Sequence, residues 1–521
     1  MTTIVIGLDG ANWSMLEDWL DEGELPNLKQ LIKTGVGGTS QSCLPPLTVP
    51  NWKCYSTGKN PGKLDVFRFD KIDTENREHV FHDATDFKSA ELWDYVNQAG
   101  YTAGVINKPA TYPPKSIDDF LVAGGPDASE SEYRSLGSGF ATPEDVETYL
   151  REDLDYQVHP APMISPSEKG EAEVQAILDL ISLRFEAAER LLEREDPDFL
   201  HLTVFYNMAL QHYFWTGDPV YRAWKIIDEE LGRFLNEGHD IIIMSDHGTC
   251  YVNTVFYVNV WLAKNGYLSV ERSVDETLRK LGFTREKALS MAKKFGIVEL
   301  LSATIPESLQ KMVPWEEGVK RERILSVIDW EETKVVASNQ GPIYLAAEEE
   351  SEYEQLRDEL IHELESVTHP ETGEALVRAV HRGEEHYSGE YAENAPDLLL
   401  DQADGVHTSD AIGPESWYSS SGVWEGGNMP EGVFLMNGPS FDDRGLTEEA
   451  QIVDLAPTIL HSMDVPIPED MDGEVLEVFE SGIDGSQRPI DTQQALILDQ
   501  TAKNRSNDEV EQRLADLGYL E

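Results

Sequence analysis

The chain has 521 residues, more than one simple core accommodates, so two or three compact units or one large α/β domain with insertions is expected. Hydrophobic residues make up 40%, enough for a real core, which argues against global disorder. Asp and Glu number 97 against 41 Lys and Arg, a formal net charge of −56 spread along the whole chain. Such a surface repels itself at low salt and reads as adaptation to a high-salt cytoplasm; it excludes binding along a nucleic-acid backbone, which needs a basic face.

TTIVIGLDG near the start reads as a short buried strand ending in Asp9 and Gly10. The opening MTTIVIGLDG lacks the basic start, longer apolar run and cleavage site of a signal peptide. Residues 11–34 read as helix, interrupted near GELP at 23–26. YTAGVINKP, 101–109, is strand-like, and 171–195 places apolar residues at helical spacing. FLHLTVF at 199–205 and HDIIIMSDHG at 239–248 are further strands. The alternation predicts an α/β fold, a mostly parallel sheet sandwiched by helices, with ligands at the carboxyl ends of the strands. Asp9, Asp246 and His247 fall at such ends.

Residues 269–330 change character: helical, charged and without clear strands, as an insertion or cap would be. Residues 348–367 read as a charged helix, APDLLLD and VFLMNGPSF as strands, and 453–466 as a helix closing the core. The expected organisation is a core over 1–480, interrupted by cap-like insertions at about 110–170 and 269–394, then a polar tail, 481–521, with a terminal helix. Cys43, Cys54 and Cys250 contain no C-x-x-C pair and are too few for a disulfide framework. No stretch approaches the roughly 20 apolar residues of a membrane span. The expectation is a soluble, cytoplasmic protein, with peripheral membrane contact and oligomeric state left open.

Three places offer chemistry. In LPPLTVPNWKCYSTG, 44–58, Thr48 suits the N-cap of a helix starting after it, where free N–H groups favour a phosphate or sulfate. Its hydroxyl is a weak nucleophile until a base or metal activates it, and the plain alternative is a helix cap and nothing more. In SDHG, 245–248, Asp246 and His247 offer an oxygen and a nitrogen to a cation, against the alternative of a turn with an incidental histidine. Asp9 adds a carboxylate at the first strand end.

Taken in order, VIGLDG, PPLTVPNWKCYSTGKNPGK, SDHG and the late APTIL with MDG form a set that resembles the alkaline phosphatase superfamily. The resemblance is to its type I phosphodiesterase/nucleotide pyrophosphatase branch and covers nearly the whole chain. It implies a site for two divalent ions, zinc or manganese. Asp9, Thr48, Asp246 and His247 would hold one; Thr48 would be the nucleophile, and Asn51 would hydrogen-bond a phosphoryl oxygen.

The second ion's ligands in that family are D-x-x-x-H and a late histidine in G-x-H-x-x-x-G. In FYNMALQHYFW, 205–215, His212 matches the histidine, but Met208 stands at the aspartate position, with Asn207 there if the alignment slips by one. GGNMPEG, 426–432, places Asn428 at the late histidine. One ion is expected and the second is doubtful, unless His201, His407, Asp218 or, more remotely, Cys250 substitutes. Three functions compete: a metal-dependent phosphoric-ester hydrolase acting on a small phosphate ester, a phosphotransferase of glycan or lipid assembly, and a non-catalytic descendant that binds a phosphorylated ligand.

Overall fold

The computed structural model describes residues 1–497 apart from 74–77, 82–83, 85–86, 88, 126–138, 162–169, 236–237, 271–323, 347–349, 421–423 and 480–488. The helical reading of most of 269–330 and the terminal helix near the end of the chain lie outside the described residues. Nine strands form one sheet in the order Gly445–Gln451, Val36–Gln41, Glu431–Asn437, Asp240–Met244, Thr3–Leu8, Phe199–Val204, Ala103–Ile106, Asp119–Val122, Ala141–Thr142. From Asp240–Met244 through Asp119–Val122 every pairing is parallel. Only Glu431–Asn437 and the short Ala141–Thr142 run against their neighbours.

The central strands are buried along their whole length. That is why TIVIGL and DIIIM read as continuous apolar runs: helices cover both faces of a parallel sheet, so neither face needs polar residues. Trp13–Glu22 and Pro26–Lys33 are separated at the GELP break, with Gly23 taking the left-handed turn (φ 78°) after the first helix. Glu171–Glu195 is a single 25-residue helix over the predicted span. It packs its apolar face, including Ile177, Ile181 and Leu191, on the main core.

A second hydrophobic cluster lies under a four-stranded sheet, Val335–Ala337, Pro342–Leu345, Leu398–Gln402 and Val377–Arg382, and the helix Glu350–Glu365. The sequence reading finds that helix and the APDLLLD strand but not the two short strands before them. Among the described residues no helix is long and apolar enough to cross a membrane.

Candidate metal and phosphoester site

Thr3–Leu8 and Asp240–Met244 are parallel neighbours, with Gly7 opposite Met244. Two residues beyond that register stands Asp246, and two beyond Gly7 stands Asp9, so the two carboxylates emerge side by side. Gly10 turns the chain immediately after Asp9, at φ +70°, and a Cβ there would lie 2.2 Å from Met208 Sδ and 2.7 Å from Thr249 Oγ1. Only glycine fits both that backbone and that gap. Its N–H donates to Asp246 Oδ1 at 3.3 Å, joining the two strand ends.

The third element is the helix Thr48–Thr57. Here the structure corrects the sequence reading: Leu47, not Thr48, is the cap, no side chain caps the helix, and Thr48 is its first helical residue. The Thr48 hydroxyl is therefore not used in capping. It lies 3.3 Å from His247 Nε2. Asn51, one turn on, is fully buried. Its Oδ1 accepts from the Cys43 N–H at 2.7 Å, while Nδ2 faces the carbonyls of Cys43, Pro45 and Leu47 at 3.0–3.2 Å. Its carboxamide pins the loop that delivers Thr48.

Asp9, Asp246 and His247 are all buried, and their ligand atoms lie within 4.8 Å of one another. The Nδ1 of His247 faces the Gly248 carbonyl at 2.9 Å. A carbonyl only accepts, so Nδ1 carries the proton and Nε2 presents a lone pair. That lone pair looks at Asp246 Oδ2 at 3.3 Å and Asp9 Oδ1 at 3.7 Å. Both of those oxygens are buried without a hydrogen-bond partner.

Three electron-rich atoms thus converge with nothing positive between them. Burial pushes the Asp9 carboxyl up to about 8, with the Trp52 hydrogen bond opposing. Burial, then the Asp9 charge, pushes Asp246 well above the carboxylate range. Burial lowers His247 to about 4, the Gly248 hydrogen bond opposing. These are the marks of a site that a cation completes, and two oxygens with one imidazole nitrogen suit zinc or manganese.

Trp52, unnoticed in the sequence, donates from Nε1 to Asp9 Oδ2 at 3.0 Å and fixes that carboxylate. It stands four residues after Thr48, one helical turn away, and that spacing is the signal that would have found it. The other sequence candidates lie as follows. The Met208 sulfur packs against Gly10, 3.3 Å from Thr249 Oγ1. His212 donates from Nδ1 to the Gly426 carbonyl at 2.8 Å and stacks on Trp424 with ring centroids 3.7 Å apart. Burial lowers its pKa to about 3 against that hydrogen bond. Asn207 donates to the Asp9 carbonyl at 2.7 Å. Asn428 reaches the site, its Nδ2 3.2 Å from His247 Nε2.

Of the possible substitutes, His201 is engaged with Tyr55 and Thr203, 3.1 and 2.8 Å away. Asp218 is exposed, and His407 packs on Trp424. Among the described residues the metal-competent cluster is Asp9, Asp246 and His247.

Parallel strands flanked by helices, with acids converging at the strand ends, define an alkaline-phosphatase-like α/β protein. The match to solved structures agrees. Phosphonoacetate hydrolase from Sinorhizobium meliloti 1021 superposes with a TM-score of 0.56 at 14% identity, covering 89% of this chain and 95% of that one. The alkaline phosphatase PafA gives 0.55 at 14%, covering 92% and 99%. Human ectonucleotide pyrophosphatase / phosphodiesterase 5 gives 0.51 at 14%, covering 91% and 97%. The family model of type I phosphodiesterase / nucleotide pyrophosphatase matches residues 3–428, and the chain belongs to that family.

Proposed function

We propose that this chain is a divalent-metal-dependent phosphoric-ester hydrolase, phosphodiesterase-like, with Thr48 as its nucleophile. The observation that carries the reading is the Thr48 hydroxyl, 3.3 Å from His247 Nε2 at the edge of the Asp9–Asp246–His247 cluster. Asp9, Asp246, His247 and Thr48 would hold one ion, zinc or manganese, and it would supply a Lewis acid that lowers the hydroxyl pKa. His247 alone is a poor general base, since burial holds it near 4.

In the reaction, Thr48 Oγ1 loses its proton and bonds to phosphorus as the P–O bond to the substituent breaks; the departing oxygen takes up a proton and leaves as an alcohol, and water then cleaves the P–Oγ1 bond, its oxygen going to phosphorus and a proton to Oγ1, which restores the hydroxyl and releases the phosphomonoester. Asn51 acts as a positioning residue. Its two amide hydrogens face three loop carbonyls, so a phosphoryl oxygen would have to displace one of them.

Met208 and Asn428 stand where the family places charged or imidazole ligands of a second ion. In this reading the second step, release of the threonyl ester, is slow. The same observation favours the alternative of a phospho-ligand-binding descendant, or of a transferase whose acceptor is not water.

The test is hydrolysis of bis-p-nitrophenyl phosphate in multimolar KCl, with and without manganese or zinc, beside Thr48→Ala. Metal-dependent nitrophenol release that Thr48→Ala abolishes, with an adduct on Thr48 in intact-mass spectra, supports the reading. No release and no adduct from folded protein rejects it in favour of binding.

A further inference from the structure

The side-chain amide of Asn428 is aimed at the cluster. Its Nδ2 donates to the Pro46 carbonyl at 2.8 Å and lies 3.2 Å from His247 Nε2. A carbonyl only accepts, so the Pro46 contact fixes which end of the carboxamide is nitrogen. That nitrogen carries two hydrogens. One is committed to Pro46, and the other meets the lone pair of His247 Nε2.

The amide is held firmly in this place. Asn428 stands opposite Thr249 in the pairing of Gly426–Met429 with Gly248–Tyr251. Its backbone carbonyl accepts from Gln402 Nε2 at 3.2 Å, and the Thr249 hydroxyl donates to the Gly10 carbonyl at 2.6 Å. The strand pair is thus tied to the second sheet on one side and to the turn after Asp9 on the other. Thr48 and His247 are fully buried and Asn428 is 2% exposed. A donor fixed in so dry a site acts on developing negative charge far more strongly than one in water.

With a cation at Asp9, Asp246 and His247, the Nε2 lone pair is engaged and the second hydrogen of Asn428 loses its acceptor. A buried donor without a partner is costly, and an oxygen bound beside the ion restores the bond. Thr48 Oγ1 adjoins the same Nε2, at 3.3 Å. A phosphoryl group attacked by Oγ1 therefore comes within reach of the Asn428 amide. Asn51, the donor that the family resemblance implies, has its amide hydrogens turned to the carbonyls of Cys43, Pro45 and Leu47.

We propose that Asn428, rather than Asn51, donates the hydrogen bond to a phosphoryl oxygen of the substrate, and that this bond tightens in the transition state. The hydrogen stays on Nδ2 throughout. The proposal rests on the hydrolase reading above and adds a catalytic residue to it.

The test compares wild type with Asn428→Leu, which keeps the bulk and removes the donor, and with Asn428→Ala, which adds no bulk if leucine disturbs the fold. Each protein is loaded with manganese and assayed with bis-p-nitrophenyl phosphate. In the variants kcat is expected to fall about 100-fold with KM little changed. Inhibition by orthovanadate, which adopts the five-coordinate geometry of the transition state, is expected to weaken by about tenfold or more. Manganese affinity, read by competition with a chelating dye, should not fall, as it would if Asn428 merely held the site together. Near-UV circular dichroism checks the fold.

An unmoved kcat or unmoved vanadate inhibition in a folded variant overturns the proposal, as does a loss that tracks loss of manganese. If wild type turns over no diester, the hydrolase reading fails separately, and calorimetric titration of the manganese-loaded protein with orthovanadate decides the role of Asn428. Binding weakened in a variant that retains its manganese supports it; absent or unaltered binding overturns it.

Discussion

The side-chain amide of Asn428 lies 3.2 Å from Nε2 of His247, across an antiparallel pairing of Gly426–Met429 with Gly248–Tyr251. On the proposed reading, this carboxamide takes the place of the late histidine that the family resemblance implies. It is neutral, it donates, and it cannot share a cation as an imidazole would. Met208 completes the change by setting a thioether against Gly10. On the proposed reading, the thioether removes a carboxylate's charge and the carboxamide removes an imidazole donor, which favours a single ion at Asp9, Asp246 and His247.

The first prediction follows from that pair. Wild-type protein dialysed against excess manganese or zinc and then against buffer retains one ion per chain. Met208→Asp with Asn428→His restores an oxygen and a nitrogen donor next to His212 and raises the content to two, read by elemental analysis. A double variant that folds yet still holds one ion would show that the surrounding packing, not the two ligands, has closed the second site.

The second concerns Trp52. Its Nε1 donates to Asp9 Oδ2 and leaves Oδ1 to face His247. Gly7 makes room for this indole: a Cβ there would lie 2.3 Å from the Trp52 ring. Trp52→Phe keeps most of the buried volume and removes the hydrogen bond. Metal affinity should fall by about 10- to 100-fold, as for other partners that orient a ligand, measured by competition with a chelating dye. An unchanged affinity would mean that packing alone orients Asp9.

Much of this was legible in the sequence because burial writes its own pattern. TIVIGL, FLHLTV and DIIIM are fully buried strands and read as apolar runs; Glu171–Glu195 repeats its apolar residues at helical spacing. The residues at the strand ends followed from the topology. The status of Thr48 did not, because whether a residue caps a helix depends on backbone angles, here those of Leu47, that the sequence does not print. Val335–Ala337 and Pro342–Leu345 are too short to show a period. GGNM has no strand character of its own and is extended because Gly248–Tyr251 pairs with it. The approach of Asn428 to His247 spans 181 residues, a tertiary fact no local reading reaches.

The third prediction is the pH dependence of metal binding. In the metal-free protein burial pushes Asp9 up to about 8, and burial and the Asp9 charge push Asp246 well above the carboxylate range, so the empty site favours protonated acids. A cation needs the carboxylates, so binding must release protons, and affinity should rise with pH through neutrality and past about 8, since Asp246 is held high as well as Asp9. Calorimetric titrations at pH 7 in two buffers of different ionisation enthalpy measure the release directly. Close to one proton per ion is expected from the Asp9 carboxyl, more if Asp246 contributes; none released would mean that the acids are already ionised in the empty site.

The fourth prediction concerns the back of the helix that carries Thr48. Glu91 Oε1 accepts from Lys53 at 2.9 Å, Lys108 at 2.7 Å and Ser56 at 2.9 Å, and Lys115 lies 3.6 Å from Oε2. Lys53 and Ser56 belong to Thr48–Thr57, so this cluster anchors the helix from behind. Burial by itself would raise the Glu91 pKa, but the charges of Lys108, Lys53 and Lys115 together hold it far below the carboxylate range. A depressed folded pKa contributes stability that is fully present above the unfolded value of about 4.5 and drains away as pH falls below it. Glu91→Gln leaves Lys53 and Lys108 buried without their counter-charge, which should cost about 3–5 kcal/mol at neutral pH. Urea unfolding at fixed KCl concentration, repeated from pH 7 downward, should show the gap between wild type and variant narrowing below that carboxylate value. A gap independent of pH would mean that Glu91 acts through packing rather than charge.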